Sequence, residues 1–272
     1  MANSPPLTFN QAVRGITEFI EVAIHTILYV RQIYPSDLFV RRKKYDTPVF
    51  QSRHPALNAY ISGAVKAIGE QLLTGNVEKV VVVIKDKEEI ALERFLFSVE
   101  NMIQVESFNK DTSVEDAISS IALGQYFRGF LVKLNMIESQ LGQMYLGDDV
   151  SFSIAIELKA ENVPTKSDKS SNPPPWIPAY TQHTTAGASD DAELHMIRAV
   201  NTGIINLSLA VQESDVKLQR EREAFPKTNV PKPAQSAPAA KSASSTSKKD
   251  ENEPAQESRV EKQQEPKDGD TA

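Results

Sequence analysis

Apolar residues recur at the spacing of a helix over two long stretches near the start of the chain. The first stretch follows Thr8, which fits the N-cap of a capping box, and its pattern predicts a long helix ending near Tyr34-Pro35. The second opens on Pro55, a residue favoured in the first helical turn, and stops at Gly75. The pattern therefore predicts two amphipathic helices in this part of the chain.

A β-branched run and alternation with a period of two predict strands further along. Residues 80–84 are all valine or isoleucine, which is typical of a strand covered on both faces. Residues 94–99 alternate after the turn DKEE, so the two segments are predicted to form a β-hairpin. The clearest alternation lies in 150–158, where one face carries Val150, Phe152, Ile154, Ile156 and Leu158. Residues 193–200 and 206–213 fit either two strands or one amphipathic helix, and we predict strands.

A third helical segment lies between the hairpin and the strand at 150–158. Ser113 can cap it, with Asp116 three residues on, and apolar residues cover nearly its whole circumference up to Ile137. A helix that is apolar all round is usually buried in the centre of a domain. The order of the predicted elements describes an α+β domain in which three helices pack on an antiparallel sheet.

Two polar segments interrupt this pattern. Residues 226–272 contain no Ile, Leu, Met, Phe, Trp or Tyr. Such a segment cannot bury enough apolar surface to offset the entropy of ordering it. We therefore predict a folded region over residues 1–225 and a disordered tail over 226–272. Residues 159–175 are also polar and end in three prolines, which predicts a mobile surface loop.

The charge balance and the absence of cysteine argue against several classes of protein. The chain of 272 residues has a formal net charge of −6 and a sequence pI of about 5.4, whereas a surface that binds nucleic acid is usually basic. Without cysteine the chain has neither disulfides nor thiolate metal sites. No apolar run reaches the length of a membrane span, and the N-terminus does not resemble a secretory signal. We therefore expect a soluble intracellular protein.

The sequence contains no recognisable catalytic or cofactor motif. It lacks a dinucleotide-binding glycine motif, a phosphate-binding loop and a nucleophile elbow. The four histidines are not spaced as metal ligands; His25 fits a structural residue within a helix, and His54 fits a helix cap. The carboxylate pairs Asp148-Asp149 and Asp190-Asp191 fit solvated loops better than acid–base catalysis. We therefore expect a binding protein with no enzymatic activity, no metal and no cofactor.

Three side chains are candidates for a binding surface, and each has a structural alternative. Trp176, in the sequence PPPWIP, is either a packing residue that anchors the loop or an aromatic wall for a bound peptide. Tyr60 lies one position off the apolar stripe of the second helix, so it is either a half-buried core residue or a ligand contact. Arg128 lies on the apolar third helix, either as a snorkelling side chain or as a charge at a subunit interface.

Four linked blocks, EFIEVAIHTILYVRQIYP, RRKKYDTPV, HPALNAYI and VEKVVVVIKDKE, occur in this order with short spacings. Together they resemble the HORMA-domain accessory subunits of translesion DNA polymerase zeta, a family also called mitotic-arrest-deficient-like proteins. The resemblance is dense over residues 9–100 and looser over 113–158, where FRGFLVKL and VSFSIAIEL carry it. It does not include the tail after residue 225.

The resemblance implies a HORMA fold with a C-terminal safety-belt segment, here about residues 159–213. In the family this segment wraps a partner peptide and holds it against the sheet as an added strand. The implied ligand is a proline-containing peptide from the catalytic subunit of polymerase zeta, packed on Tyr60 and Trp176 with Tyr34 nearby. The implied function is that of a non-catalytic adaptor in translesion DNA synthesis, located in the nucleus.

A second surface implied by the resemblance docks a deoxycytidyl-transferase translesion polymerase on the C-terminal sheet. Leu194 keeps its apolar position there, and Leu209 belongs to the same predicted surface. Ser208 and Ala210 replace larger polar and aromatic residues of the family, so this contact lacks an aromatic anchor. Arg128 matches an arginine at the family's dimerisation surface, which implies a homodimer or a pair with another HORMA protein.

The basic run from Arg41 to Lys44 belongs, on this resemblance, to the connection between the first two helices. There we expect a solvated loop that assists nuclear entry or approach to DNA, and not the primary site. Two other functions fit the sequence. One is a spindle-checkpoint or meiotic HORMA adaptor that binds other peptides, and the other is a direct DNA-binding protein that uses this run.

Overall fold

The computed structural model describes residues 4–100, 102–106, 109–142, 144, 150–159 and 176–224. The helices are α1 (Phe9–Val30), α2 (Pro55–Thr74), α3 (Ser120–Asn135), α4 (Glu138–Leu141) and α5 (Asp215–Ala224). The strands are β1 (Phe39–Lys44), β2 (Thr47–Ser52), β3 (Val77–Asp86), β4 (Ala91–Glu100), β5 (Val150–Leu158), β6 (Glu193–Asn201) and β7 (Asn206–Glu213). The predicted tail over 226–272 and nearly all of the predicted loop over 159–175 lie outside the described residues. Within the described ranges, no helix is both long and apolar enough to cross a membrane.

Five antiparallel strands form the main sheet in the order β5-β3-β4-β7-β6. The central strand β3 is buried on both faces, as its β-branched run predicts. Val80, Val82 and Ile84 join the main core with α1–α3, whereas Val81 and Val83 join a smaller cluster on the second face of the sheet. The α+β fold class and the strands predicted at the C-terminus are therefore confirmed.

The centre of the core is α1, and not α3 as the sequence pattern predicts. Phe19 of α1 stacks on Phe127 of α3 at 4.4 Å between ring centroids and meets Phe97 of β4 edge to face at 6.2 Å. Burial of one such side chain stabilises the fold by roughly 1.5–3 kcal/mol. The outer side of α3 is exposed at Ile121 and Val132, so its apolar residues do not indicate burial all round.

Two predicted helix ends are wrong. The backbone conformation explains the first difference, and backbone hydrogen bonds explain the second. The first helix ends at Val30 because Gln32 adopts a left-handed conformation with φ 54°. The third helix begins at Ser120, with Ser119 as its N-cap, and not near residue 113. The residues before it pair with the N-terminal segment instead: the amide of Val114 donates to the carbonyl of Leu7 at 3.0 Å.

The connection between α1 and α2 is a β-hairpin and not the predicted solvated loop. The basic run forms most of β1, which pairs with β2 in an antiparallel register. The two residues of the turn, Tyr45 and Asp46, both have positive φ, as the tight hairpin turn that matches strand twist requires. This turn could not be predicted from the sequence because neither of its two residues is Gly or Asn.

Candidate functional site

The free edge of β5 is the first feature of the candidate site. Within the described residues β5 pairs with β3 alone, so its other side presents backbone groups that no strand satisfies. One of these groups is the amide of Ile154, which donates to the hydroxyl of Tyr60 at 3.3 Å. Alternate residues of an antiparallel strand point their amides the same way, so Phe152 and Ile156 also present theirs to this edge.

Three aromatic rings gather beside this edge. Phe152 of β5 lies 5.6 Å from Tyr60 of α2 and 6.3 Å from Tyr34, which follows α1, and both contacts are edge to face. Tyr60 is 47% exposed. Burial, and then the neighbouring Tyr60, raise the pKa of Tyr34, so the Tyr34 hydroxyl stays neutral. We call these three rings and the amide of Ile154 the β5 edge site.

The sequence predicts Tyr34 and Tyr60 at the site but misses Phe152 and the amide of Ile154. Alternation places both residues on the helix side of a strand, and they do lie there. Their role depends on β5 lying at the edge of the sheet, and strand order is not visible in the alternation pattern.

Trp176 is the first described residue after Lys159 in the connection that leads from β5 to β6. Its ring is partly buried against the main core, which agrees with the packing alternative. Its indole N–H is buried and has no hydrogen-bond partner among the described residues. Nearby, Ile177 is 85% exposed. No ring contact joins Trp176 to the rings of the β5 edge site in the described part of the chain. Its predicted role as a peptide contact therefore stays a prediction.

The connection from β5 to β6 runs from one edge of the sheet to the opposite edge, and residues 176–192, here the crossing segment, are its described part after Lys159. Thr185 donates to Glu157 of β5 from both its amide and its hydroxyl, each at 2.6 Å. Arg94 of β4 donates to the carbonyl of Gln182 at 2.5 Å. The crossing segment is therefore tied to the second face of the sheet by polar contacts.

The charge of Glu157 is part of this attachment. Burial acts to raise the pKa of Glu157, but hydrogen bonds from Thr185 and Lys79 outweigh it and leave the pKa below its usual value. Lys79 also lies 3.1 Å from Glu157. The carboxylate is thus held ionised at neutral pH, in the form that accepts both bonds from Thr185.

The second predicted surface is only partly exposed. Leu194 is 59% exposed and Met196 60% exposed, on the second face of the sheet near its β6 edge. The register places Met196 opposite Ala210, and Ser208 lies on the same face. The assignment of Leu209 to this surface is wrong. Its side chain is 0% exposed and belongs to the main core, because alternation turns it toward the helices. Met196 is the exposed apolar residue that the prediction missed.

Arg128 lies on the exposed outer side of α3, beside the hairpin turn. Lys43 lowers the pKa of Asp46 most, and Arg128 adds to the effect, so the guanidinium lies near that turn. The exposed apolar residues Ile121, Val132 and Met136 share the outer side of the helix. This arrangement is compatible with the predicted contact between protomers, which stays a prediction.

Half of the basic run is occupied by local ion pairs. Lys43 lies 2.9 Å from Asp46, and Lys44 pairs with Glu18 of α1. Arg41 and Arg42 are exposed. Two of the four cations are thus partly neutralised, which disfavours a primary role in binding nucleic acid.

Strand pairing also brings together a group that the sequence does not reveal. Glu193 lies opposite Glu213 across β6 and β7, and His195 lies 2.9 Å from Glu213. The three side chains come within 4.8 Å of one another, a spacing that could hold a cation. Glu213 is already paired with Lys217, so any metal would compete with an internal ammonium group.

The arrangement of α1–α3 on this sheet, with a connection crossing from edge to edge, defines a class of protein. A model of the HORMA domain matches residues 13–143. The protein belongs to the HORMA-domain family, which confirms the resemblance seen in the sequence.

The comparisons also give particular relatives. The chain is 33% identical over 216 residues to "Mitotic spindle assembly checkpoint protein MAD2B" of Gallus gallus, which covers 76% of this chain and 93% of the relative. It is 34% identical over 161 residues to "DNA polymerase zeta processivity subunit" of Schizosaccharomyces pombe, covering 58% of this chain and 74% of the relative. The structure of C. elegans HTP-1 bound to the HIM-3 closure motif has a TM-score of 0.57 at 13% identity, over 75% of this chain and 91% of that one. This last likeness shows the fold.

Proposed function

We propose that the protein is a non-catalytic adaptor subunit of DNA polymerase zeta that captures an extended, proline-containing peptide of the catalytic subunit along β5. The observation that carries the proposal is the β5 edge site, where a free strand edge lies beside three aromatic rings. The naming of a relative as the polymerase zeta processivity subunit supports the choice of partner. The closure motif bound to a protein of the same fold supports the mode of binding.

Capture at this site would proceed by addition of a strand. An extended peptide supplies carbonyl groups to the outward amides of β5, and the carbonyl that meets Ile154 takes the place of the Tyr60 hydroxyl. Tyr34, Tyr60 and Phe152 then offer faces and edges to proline rings. Proline suits this contact because it loses little conformational entropy on binding.

Closure would come from the connection between β5 and β6, as part of the belt predicted over residues 159–213. The contacts of Thr185 with Glu157 and of Gln182 with Arg94 would have to break before the crossing segment could lift. Release of an enclosed peptide would then require local unfolding, so dissociation would be slow.

The adaptor role needs a second surface, and we place it around Leu194 and Met196. These exposed apolar side chains lie on the β6 side of the sheet, whereas the β5 edge site lies on the opposite edge. One protomer can therefore hold the catalytic subunit and a deoxycytidyl-transferase polymerase together. Translesion synthesis would place the protein in the nucleus.

Removal of the two predicted aromatic contacts tests the peptide site. We expect the double variant Tyr60→Ala/Trp176→Ala to bind a labelled proline-containing fragment of the catalytic subunit at least 100-fold more weakly, since each lost anchor costs about 2 kcal/mol. Fluorescence anisotropy measures the affinity. Tyr126→Ala, which removes an exposed ring on α3, is the matched control and should bind normally. Undiminished binding by the double variant would reject the proposed pocket.

Substitution of Leu194 tests the second surface separately. We expect Leu194→Glu to weaken binding of the C-terminal domain of the deoxycytidyl-transferase polymerase at least tenfold, because a charge replaces a desolvated apolar contact. Calorimetric titration measures it, and affinity for the proline-containing peptide should not change. Equal binding of the polymerase domain by the variant and the unaltered protein would remove this surface from the proposal.

A further inference from the structure

Three glutamates lie side by side across neighbouring strands at one end of the sheet. The register pairs Glu93 of β4 with Glu213 of β7, and Glu213 in turn with Glu193 of β6. Glu93 and Glu213 are buried. Like charges directly opposite one another destabilise an antiparallel pair, and a buried carboxylate needs a partner. The pairing of β7 with β4 therefore depends on cations supplied from elsewhere.

Two buried cations meet this need. Arg31 forms a bidentate pair with Glu93, at 2.9 Å from Nε and 2.6 Å from Nη2. Lys217 of α5 lies 2.9 Å from Glu93, also pairs with Glu213, and donates to the carbonyl of Leu141 at 2.9 Å. Lys217 is itself buried. The Lys217 ammonium group thus contacts both opposed carboxylates, Glu93 and Glu213, and offsets their repulsion.

The position of Lys217 in the chain gives this contact its significance. Lys217 lies on α5, which begins directly after the β6–β7 hairpin and was not predicted from the sequence. Most residues of α5 are polar, so little apolar burial holds it in place. A second ion pair, between Arg220 and Asp86 at 2.9 Å, joins α5 to the end of β3. Docking of α5 is therefore largely electrostatic.

We infer that α5 is a latch that keeps the β6–β7 hairpin on the sheet, with Lys217 as its positioning residue. When α5 detaches, Glu93 and Glu213 face each other with one cation fewer, and β7 separates from β4. The hairpin directly follows the crossing segment, so its separation releases the C-terminal end of that segment and leaves it held by the contacts of Thr185 with Glu157 and of Gln182 with Arg94. Only the consequence, release of a captured peptide, rests on the proposed function.

Hydrogen exchange on the full-length protein without any peptide tests the latch. We expect Lys217→Met to speed amide exchange in residues 193–213 at least tenfold, while amides of β3 and β5 change less than twofold. The double variant Lys217→Met/Glu213→Gln should recover most of the protection, because the opposed charge is gone. Lys66→Met, on the exposed side of α2, is the matched control and should leave all rates unchanged.

Two results would overturn the inference: unchanged exchange in the hairpin, or an equal rise in every strand, which would show a general loss of stability. Should Lys217→Met fail to fold, Arg220→Ala removes only the partly exposed contact with Asp86 and should speed exchange in residues 206–224 selectively. Uniform exchange in that variant also counts against the latch. Because no peptide is present, the outcome is independent of whether the β5 edge site binds one.

Discussion

Arg31→Met is expected to lower the free energy of unfolding by about 3–5 kcal/mol, the usual cost of removing one partner of a buried ion pair. The guanidinium of Arg31 is buried and makes two bonds to Glu93 and a third, at 2.8 Å, to the carbonyl of Gly142. The variant leaves Glu93 with Lys217 alone and leaves that carbonyl without its donor. Urea denaturation followed by circular dichroism measures the change.

A double-mutant cycle separates this pair from general packing. Arg31→Met combined with Glu93→Gln should cost less than the sum of the two single changes, because neither charge is then left opposing an empty position. Arg14→Met, at an exposed position of α1, removes the same side chain without a buried partner and should change stability by under about 0.5 kcal/mol. A cost for Arg31→Met no larger than that control would contradict the prediction.

Acidification from pH 7 to pH 4 should remove about 3 kcal/mol of stability through His25 alone. Burial lowers the pKa of His25 from 6.5 to about 4, and its Nδ1 accepts a long hydrogen bond from the amide of Ser52 at 3.5 Å. Between these two pKa values the unfolded chain binds a proton that the folded protein does not. Stability from this group is therefore complete above pH 6.5 and is lost as the pH falls toward 4.

Chemical denaturation at a series of pH values measures this effect. His25→Gln keeps a polar side chain at the site without a proton to gain, so its stability should be flatter between pH 6.5 and pH 4. His54, the N-cap of α2, is exposed, and His54→Gln should keep the steep profile of the unaltered protein. If His25→Gln and the unaltered protein show parallel pH profiles, the buried imidazole is not the cause.

The elements that the sequence predicts best are those whose pattern records burial directly. The run at Val80–Ile84 reflects a strand that is buried on both faces, and the alternation over 150–158 reflects a strand with one apolar face. Both strands are confirmed. The hairpin of β1 and β2 was not predicted from the sequence because its outward positions are cationic. The start of α3 was predicted too early in the chain. Backbone pairing with the N-terminal segment overrides the cap at Ser113.

Only some individual side chains of the candidate site could be predicted from the sequence. Tyr34 and Tyr60 follow from the family resemblance, whereas Phe152 follows only from the strand order. Leu209 was assigned to the second surface through the family resemblance, although strand alternation turns it to the opposite face from its neighbours Ser208 and Ala210. The row of Glu93, Glu213 and Glu193 depends on register between strands distant in sequence, which no local pattern encodes.

Within the part of the chain that the structure describes, β5 has no strand on its outer side, and this has a consequence for handling the protein. Its sequence, VSFSIAIEL, contains no proline or lysine and carries a single charge, so it lacks the gatekeeper residues that usually protect an edge strand from aggregation. With that side uncovered, two copies present matching templates to each other. Production together with a peptide ligand should therefore give a higher yield of monodisperse material than production of the chain alone.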